Sequence, residues 1–397
     1  MSYISKLAKE ISPSPTLAID AKFKEMQAQG IPVIGFGTGE PDFNTPDNII
    51  ASAIDALHTG VTKYTPASGT LALKKAICEK LKRDNNIDYA PNQIVVSNGA
   101  KHSLTNIFMA ICDEGDEVII PAPYWVSYPE MVKLAGGKSV IMPTTEADGF
   151  KFKPADIEKY ITKRTRAIVL NSPSNPTGMI YNRAELEQIA QIAVKHNIYV
   201  ISDEVYEKLV YEGEHVSIAS LGDEIKALTI LVNGVSKTYA MTGWRIGYTA
   251  STAALASAMG NIQSHATSNP NSIAQAASVE ALGGDQTIID TMKAEYLKRR
   301  NYMVEKINSI DGVSCITPNG AFYVMMNVSK LLGREHYGKM INTAEELCEN
   351  ILEKANVALV SCEGFGIDGY ARLSYATSME NIQNGLDRIE KYIKGEC

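Results

Sequence analysis

A lysine, a hydroxyl and an arginine occur close together in the stretch NGVSKTYAMTGWRIGY, residues 233–248. Lys237 follows Ser236 in a turn that Gly234 leaves open to a bulky group, and Arg245 comes eight positions later. A buried lysine and a buried arginine are costly to leave unpaired. A phosphorylated aldehyde would satisfy both, because the lysine can form a Schiff base and the arginine can hold a phosphate as a bidentate fork. The alternative is two solvated cations on a hairpin.

Polar and aromatic side chains follow the other apolar runs of this part of the chain. QIVVS is followed by a glycine turn into a helix, at Gly99, Ala100 and Lys101, and EVIIPAP by the large ring of Trp125. RAIVLNSP is followed by the amide of Asn175, and IYVIS by the carboxylate of Asp203 and the phenol of Tyr206. A glycine turn that opens a helix directs amide groups at an anion. Each feature alone has an ordinary explanation as turn or core chemistry. Together, on one side of one sheet, they predict a binding site.

The elements that would position these residues alternate along the chain. The strand-like runs are QIVVS, EVIIPAP, SVIMP, RAIVLNSP, IYVISDEVY, LTILVNG and IGYTA, and helical patterns cover 101–111, 128–135, 156–160 and 183–196. This alternation predicts an α/β fold with a mostly parallel sheet between helices. In such sheets ligands bind outside the carboxyl ends of the strands, where the polar residues above occur.

The alternation stops after about residue 284. A long polar helix over 288–310 precedes the short strands AFYVMMNV, VALVSC and YARLSYA and helices over 344–354 and 379–392. We therefore expect a large domain over 47–284, a smaller α+β domain over 285–397, and an N-terminal arm with part of the small domain over 1–46. Arg372 lies in the last strand. Its planar guanidinium group would pair either with an internal acid or with a substrate carboxylate.

Composition limits the classes of function. The 397 residues carry a formal net charge of −7 without a basic stripe, which argues against nucleic acid as a partner. No apolar window is long enough to span a membrane, and the N-terminus has no signal-peptide core. Six scattered cysteines indicate reduced thiols of a cytoplasmic protein. The six histidines lack metal-ligand spacing, so no metal site is expected.

Motifs along nearly the whole chain resemble those of class I, fold-type I pyridoxal-phosphate aminotransferases, in the bacterial aspartate aminotransferase branch. The matching motifs, in the family's order and spacing, are SPSPTLAI, GEPDFNTP, KYTPASG, NGAKHSL, PYWVSYPEM, NSPSNPTG, SDEVYEKL, GVSKTYAMTGWRIGY, GAFYV and RLSYATS. The resemblance implies pyridoxal 5'-phosphate as the cofactor, a seven-stranded large domain beside a small one, and a homodimer with shared active sites.

The resemblance also implies roles for single residues. Lys237 is similar to the Schiff-base lysine, and Asp203 to the acid that keeps the pyridine nitrogen protonated. Tyr206 and Asn175 resemble the donors to the phenolic oxygen of the ring, and Trp125 would stack on it. The phosphate end would be surrounded by Gly99, Ala100, Lys101, Ser236, Arg245 and, from the neighbouring subunit, Tyr64.

Substrate contacts follow from the same resemblance, and the residues expected to make them are Gly39, Trp125, Asn175, Arg372, Lys101, Ser14 and Thr16. Arg372 would bind the α-carboxylate. Lys101 opposes the dipole at a helix N-terminus, which an anion nearby would explain. With Ser14 and Thr16 it resembles the set that receives a second carboxylate, which favours aspartate and glutamate.

The chain departs from the family pattern at two places. Relatives that also use prephenate tend to have a basic residue near the position of Ser12. In the loop VSCEGFG, relatives usually have a proline and a small residue in place of Cys362 and Gly364, so an altered specificity or lid is open there.

The predicted reaction is a reversible ping-pong transfer of the amino group from L-aspartate to 2-oxoglutarate, giving oxaloacetate and L-glutamate. Three alternatives stay open. One is an aminotransferase of broader or different specificity, for aromatic amino acids, alanine or prephenate. Another is a pyridoxal-phosphate-dependent β-C–S lyase. The third is a cofactor-binding regulatory protein without catalytic activity.

Overall fold

The computed structural model describes residues 3–13 and 15–397, the side chains of residues 15–18 and 20 excepted. Its helices are α1 (Lys6–Glu10), α2 (Pro15–Ala28), α3 (Asp47–His58), α4 (Leu71–Asn85), α5 (Ala100–Ile111), α6 (Ser127–Leu134), α7 (Arg183–His196), α8 (Asp223–Leu228), α9 (Ala253–Ala266), α10 (Ser272–Gly283), α11 (Thr287–Asn308), α12 (Ala344–Ala355) and α13 (Met379–Lys394). Its strands are β1 (Ile34–Gly35), β2 (Ile94–Ser97), β3 (Glu117–Ala122), β4 (Lys138–Pro143), β5 (Thr165–Asn171), β6 (Tyr199–Asp203), β7 (Thr229–Gly234), β8 (Gly247–Ala250), β9 (Tyr323–Asn327), β10 (Arg334–His336), β11 (Lys339–Ile341), β12 (Val357–Ala358), β13 (Val360–Ser361) and β14 (Tyr370–Ser374).

The seven predicted strands of the large sheet are all present, in the order β2-β8-β7-β6-β5-β3-β4. Only β8 runs against its two neighbours, so the sheet is mostly parallel, as predicted. Neighbouring residues of β3 alternate between two cores: Val118 and Ile120 pack with α5, and Ile119 packs with α7. Burial on both faces explains why these strands are continuous apolar runs.

Local signals set the ends of the helices around this sheet. At the start of α7, the Asn182 side chain accepts from the Glu185 amide at 3.0 Å and Glu185 accepts from the Asn182 amide at 2.7 Å. This capping box satisfies two amides that the helix itself leaves unpaired. The helix ends at Asn197, whose φ of 50° is left-handed.

A second, antiparallel sheet of order β13-β14-β9 packs with α11, α12 and α13 around its own core, which includes Tyr296, Leu347 and Leu386. This is the small α+β unit expected from the sequence. The same core takes in Tyr206 and Leu209 from the turn after β6, so the two sheets meet beside the carboxyl end of β6.

Two details differ from the sequence expectations. The segment expected as a helix over 156–160 is a 3-10 turn, Pro154–Tyr160, in which a proline at the first position starts the turn. The sequence patterns also did not single out α9 and α10. The buried face of α10 is made largely of small side chains such as Ala277 and Ser278, which give little apolar periodicity.

Within residues 3–13 and 15–397, no helix combines the length and the apolar character that crossing a lipid bilayer requires.

Candidate active site

A cleft of about 380 Å³ opens where the large sheet's carboxyl edge faces the small sheet. It is lined by Gly37, Thr38, Gly39, Glu40, Ala100, Lys101, Trp125, Tyr128, Asn171, Asn175, Asp203, Val205, Tyr206, Ser236, Lys237, Thr242, Arg245, Tyr323 and Arg372. Eleven of the predicted site residues therefore share one cavity: Gly39, Ala100, Lys101, Trp125, Asn175, Asp203, Tyr206, Ser236, Lys237, Arg245 and Arg372.

Lys237 enters the cleft from the turn that follows β7. Its Nζ donates a hydrogen bond to the Gly39 carbonyl. Burial lowers the pKa of Lys237 to about 8, and the nearby cations Arg245 and Arg372 lower it as well, against the opposing charges of Glu40 and Asp203. About a tenth of this amine is therefore neutral, and so nucleophilic, at pH 7, far more than for an ordinary lysine.

Asp203 is the last residue of β6 and is buried. Its Oδ2 accepts from the Tyr128 hydroxyl at 2.7 Å, and its Oδ1 accepts from the Val205 amide at 3.3 Å. Burial raises the pKa of Asp203 to about 6, although these two donors and Lys237 pull the pKa down. A desolvated carboxylate of this kind gains most from a cationic N–H donor in the cleft.

Tyr206 and Asn175 approach the cleft from neighbouring strand ends. The Tyr206 hydroxyl lies 2.9 Å from the Tyr323 hydroxyl, and burial raises the pKa of Tyr206, so it stays protonated at neutral pH. Asn175 Oδ1 accepts from Arg372 Nη1 at 3.0 Å, which leaves the Nδ2 group of Asn175 as its donor.

The N-terminus of α5 and Arg245 form a cationic corner. Gly99 precedes the helix with φ of 84°, and a Cβ there would collide with the Arg245 guanidinium. Arg245 itself has a left-handed φ of 58°, and it donates to the carbonyls of Thr242 at 3.0 Å and Asn98 at 3.3 Å. Open helix amides beside a guanidinium make a binding site for a phosphate group.

Lys101, in the first turn of α5, lies with its Nζ 4.9 Å from the centre of the Trp125 ring. Burial and the charge of Arg245 lower the pKa of Lys101. Trp125 meets Tyr128 edge to face, with ring centres 5.4 Å apart, which fixes the indole at the side of the cleft.

Arg372 is buried in β14. It donates to Asn175 Oδ1 and, through Nη2, to the Gly37 carbonyl at 2.8 Å, whereas its Nε has no partner. Its guanidinium lies 4.5 Å from the ring centre of Tyr323 and 5.0 Å from that of Phe365. A buried arginine with a free N–H is positioned to receive a carboxylate.

The unusual loop position Cys362 does not line the cleft. It is fully buried in a small cluster with Phe365, which packs against Arg372. A change at this position would reach the carboxylate site through Phe365 and through the neighbouring Arg372, whose charge acts on the Cys362 thiol.

Two predicted residues, Gly99 and Tyr64, do not line the cleft of this chain. Gly99 lies behind it as the residue that starts α5, and Tyr64 is 91% exposed. Ser14 lies outside the described residues, as does the side chain of Thr16.

Sequence reasoning missed Tyr128, Tyr323, Glu40 and Asn171. Asn171 ends β5 and donates to the Asp203 carbonyl at 3.0 Å, so the strand-end argument could have found it. Tyr128 comes one helical turn after Trp125, but nothing in the sequence pairs it with Asp203.

One cluster among the described residues has the geometry of a metal site: ligand atoms of Glu204, Glu207 and His215 lie within 4.8 Å of one another. The carboxylate oxygens already accept hydrogen bonds. Glu204 accepts hydrogen bonds from Ser202, Ser217 and His215, and Glu207 accepts them from Lys80, Asn85 and Asn233. With a lysine in place of an ion, the cluster is a buried ion network.

The fold is that of the fold-type I transferases. A model of the family "Aminotransferase class I and II" matches residues 31–389, and the chain belongs to that family. It is therefore an aminotransferase by family.

Curated relatives and solved structures match over nearly the full length. Aspartate aminotransferase of Bacillus sp. strain YM-2 is 49% identical, over 98% of this chain and 99% of the relative. Aspartate/prephenate aminotransferase of Nitrosomonas europaea is 46% identical, over 97% and 98%. The crystal structure of the Rhizobium meliloti aspartate aminotransferase superposes with a TM-score of 0.95 at 42% identity, covering 99% of both chains. That of Thermus thermophilus with maleate gives 0.94 at 40%, covering 99% and 100%.

Proposed function

We propose that the chain is a cytoplasmic, pyridoxal 5'-phosphate-dependent aspartate aminotransferase. It transfers an amino group reversibly between L-aspartate and 2-oxoglutarate, with oxaloacetate and L-glutamate as products. One observation carries the proposal. A partly buried amine with a lowered pKa, Lys237, shares a cleft with a desolvated carboxyl, Asp203, and with two arginines that have no carboxylate partner among the described residues.

The residues present fit the cofactor. Arg245 and the open end of α5 suit a phosphate, and the only acceptors of Arg245 among the described residues are backbone carbonyls. Asp203 suits a protonated ring nitrogen, which would relieve its desolvation. Tyr206 and the Nδ2 of Asn175 suit a phenolic oxygen. When bound, pyridoxal 5'-phosphate supplies an aldehyde that condenses with amino groups and a pyridinium ring that withdraws electrons from the α-carbon.

The protein's side chains would orient the substrate and move its proton. Arg372 would take the α-carboxylate on its free Nε, while Asn175 and Gly37 hold its other two nitrogens in place. Lys237 Nζ, in its neutral form, would accept the α-proton and would deliver it in the same half-reaction to the cofactor carbon that takes up the amino group, and the second half-reaction would run this transfer in reverse. Asp203 would hold the proton on the ring nitrogen throughout.

Preference for dicarboxylates is assigned to Lys101. Its ammonium lines the cleft on the Trp125 side, and its pKa is lowered by partial desolvation and by the charge of Arg245, although the side chain as a whole is exposed. The names of the full-length relatives and the maleate in the Thermus structure support this assignment by similarity. Lys101 and Arg372 would grip aspartate and glutamate alike, so one site serves both half-reactions.

A panel of amino donors and 2-oxo acids tests the proposal. We expect kcat/KM to be highest for aspartate with 2-oxoglutarate, and Lys237→Ala to abolish turnover. Lys101→Ser should lower kcat/KM for aspartate by about tenfold or more and leave alanine unaffected, since one charge-assisted hydrogen bond contributes about 1.5–3 kcal/mol. A dicarboxylate preference that survives Lys101→Ser overturns the role of Lys101. Pyruvate release from cystathionine, without transamination, would identify a lyase instead.

A homodimer is the second part of the proposal. Large apolar side chains are exposed along one face of α3 and the loop after it, including Ile54, Leu57 and Tyr64. Leu71, at the start of α4, is also exposed. An exposed apolar patch of this kind is typical of a subunit interface. A second copy seated there would bury Tyr64, which the family resemblance assigns to the phosphate of the neighbouring site.

Mixed dimers test whether the sites are shared. Tyr64→Ala and Lys237→Ala variants are each expected to be weakly active or inactive, and co-refolding them should restore about half the wild-type sites in each mixed dimer. In such a dimer the protomer with an intact Lys237 receives an intact Tyr64 from its partner. If Tyr64 acts within its own chain, mixing restores nothing. A monomer in light scattering would overturn the dimer altogether.

Prephenate is a second candidate amino acceptor, favoured by the name of the Nitrosomonas relative. This chain has Ser12 where a basic residue would be expected for that activity. The Ser12 amide donates to Glu130 Oε2 at 3.2 Å, and the charge of that carboxylate is already paired with Lys133. We therefore expect transamination of prephenate to be far slower than that of 2-oxoglutarate, and Ser12→Lys to raise it.

A further inference from the structure

Tyr323 is a buried tyrosine that no step above uses. It is the first residue of β9, its side chain is 1% exposed, and it lines the cleft. It belongs to the small sheet, whereas Tyr206 belongs to the turn after β6 of the large one. The 2.9 Å contact between their hydroxyls therefore joins the two halves of the molecule at the cleft.

Three groups converge on the Tyr323 ring and hydroxyl. The hydroxyl meets that of Tyr206, and a Cβ placed on Gly39 would lie 3.1 Å from it. The ring lies under the Arg372 guanidinium, 4.5 Å from centre to carbon. Tyr323 is thus packed between the phenolic donor, the expected substrate path at Gly39 and the α-carboxylate receptor.

The direction of the hydrogen bond follows from counting protons. Burial raises the pKa of Tyr206 and of Tyr323, so each hydroxyl carries one proton at neutral pH. If Tyr206 donates its proton to the phenolic oxygen of the cofactor, it has none left for Tyr323. Tyr323 must then donate to Tyr206 Oη, and the two hydroxyls form a chain in which each bond strengthens the next.

We propose that Tyr323 is a positioning residue, which donates to Tyr206 Oη and thereby turns the Tyr206 proton toward the phenolic oxygen of the cofactor. The inference rests on the proposed function. Its consequence would be chemical: a well-oriented Tyr206 donor would stabilise the ionised phenolic oxygen of the bound cofactor, and this would lower the pH at which the visible absorption of the loaded protein changes. Tyr323 therefore acts on the cofactor without touching it.

The Tyr323→Phe variant removes the hydroxyl and keeps the ring over Arg372. The pH midpoint of the visible absorption of the cofactor-loaded protein should rise by about 0.5 unit, because Tyr206 is then less well oriented. The kcat for aspartate should fall several-fold and KM should change little. Tyr323→Leu removes the ring as well, and it should raise KM in addition because Arg372 loses its packing.

A double-mutant cycle separates positioning from general structure. Tyr206→Phe should raise the same midpoint, and adding Tyr323→Phe to it should give no further rise, since the second residue acts only through the first. A midpoint unchanged by Tyr323→Phe, or an equal rise in both backgrounds, overturns the inference. A wild-type protein with no cofactor band fails at an earlier step, the proposed function, so the two failures are distinguishable.

Discussion

The Tyr128 hydroxyl donates to Asp203 Oδ2 at 2.7 Å, and it reaches that carboxylate from the first turn of α6. The two residues are separated by 75 positions in the chain and meet because β3 and β6 end at the same edge of the sheet. Burial raises the pKa of Tyr128, so this hydroxyl is a permanent donor. Without it, the buried carboxyl would be more easily protonated.

Replacement of Tyr128 by Phe should raise the pKa of Asp203 above about 6. The ionised carboxylate is the form that pairs with a protonated ring nitrogen, so the cofactor should dissociate as the pH falls and the carboxyl group is protonated. In Tyr128→Phe this loss should begin at a higher pH than in the wild type. We expect the midpoint of cofactor retention to move up by about one unit, the equivalent of one hydrogen bond to a charged group. Equilibrium dialysis from pH 4.5 to 8 measures it.

Tyr124→Phe is the matched control for Tyr128→Phe. Tyr124 is a partly buried phenol at the same strand end, and it makes no contact with Asp203. A midpoint that stays in place in Tyr128→Phe, or that moves equally in Tyr124→Phe, would show that the hydroxyl does not support the carboxylate.

Replacement of Asp203 by Asn should have opposite effects on stability and on cofactor binding. In the cofactor-free protein the pKa of Asp203 is raised from 3.8 to about 6, so the folded state binds the extra proton and its stability falls as pH rises from about 4 to 6. Above pH 6, the raised pKa of Asp203 lowers the free energy of unfolding by about 3 kcal/mol. Asp203→Asn should remove part of it and raise Tm at pH 7.5, while cofactor affinity falls steeply.

Asp116→Asn provides the contrast in the same assay. Arg166 and the Asp113 amide hold the pKa of Asp116 below its usual value, so this carboxylate stabilises the folded state above the unfolded pKa. Its replacement should lower Tm. If both variants lose stability alike, the desolvation of Asp203 is not the controlling quantity.

Much of the fold and of the site could be predicted from sequence because single segments carry the signals. The seven strand runs, the glycine turn at Gly99 and the lysine turn at Lys237 are local patterns, and the rule for strand ends brings them together. Which side chains contact each other in the site could not be predicted from the sequence. Tyr206, in the turn after β6, and Tyr323, in β9, are 117 positions apart, and no local pattern relates them.

Other parts of the organisation stay predictions. The boundary after residue 284 is predicted where the alternation of strands and helices stops, and the boundary after residue 46 is predicted just before the helix that begins at about Asp47. The core around β9 and β14 also includes side chains of the turn after β6, such as Leu209, so packing crosses the expected boundary. A sequence pattern shows the periodicity within one element, but it does not show which face of a distant element packs against it.

The reactivity of the Lys237 amine should follow its lowered pKa. Competitive acetylation of the cofactor-free protein, read by peptide mass spectrometry, should show half-maximal reactivity of Lys237 near pH 8. Lys153 is the internal control, because Asp148 raises its pKa and it is exposed. Arg245→Gln removes one of the cations that depress Lys237 and should move the Lys237 midpoint upward. Equal midpoints for the two lysines would contradict the buried site.

The ion pair of Lys80 with Glu207 should be a major source of stability. Both side chains are buried. Burial alone would raise the pKa of Glu207, but Lys80 and His215 outweigh it and bring the pKa to about 2. Lys80→Met removes the lysine partner of this buried carboxylate, which keeps its hydrogen bonds from Asn85 and Asn233, and should cost about 3–5 kcal/mol in urea unfolding. The exposed pair of Lys82 with Asp88 is the control, and Lys82→Met should cost less than about 1 kcal/mol.

The pH dependence of unfolding gives a second test of the same pair. Because the folded pKa of Glu207 is depressed, its contribution is present above the unfolded pKa of about 4.3 and is lost as pH falls toward 2. Lys80→Met should flatten the acid limb between these values. An acid limb identical to that of the wild type would show that the pair contributes nothing.

Reduction of the loaded protein with borohydride tests the central claim most directly. Incubation with pyridoxal 5'-phosphate, reduction and proteolysis should place one phosphopyridoxyl group on the peptide that contains Lys237, and the Lys237→Ala protein should carry none. Modification spread over exposed lysines with Lys237 unlabelled would contradict the account.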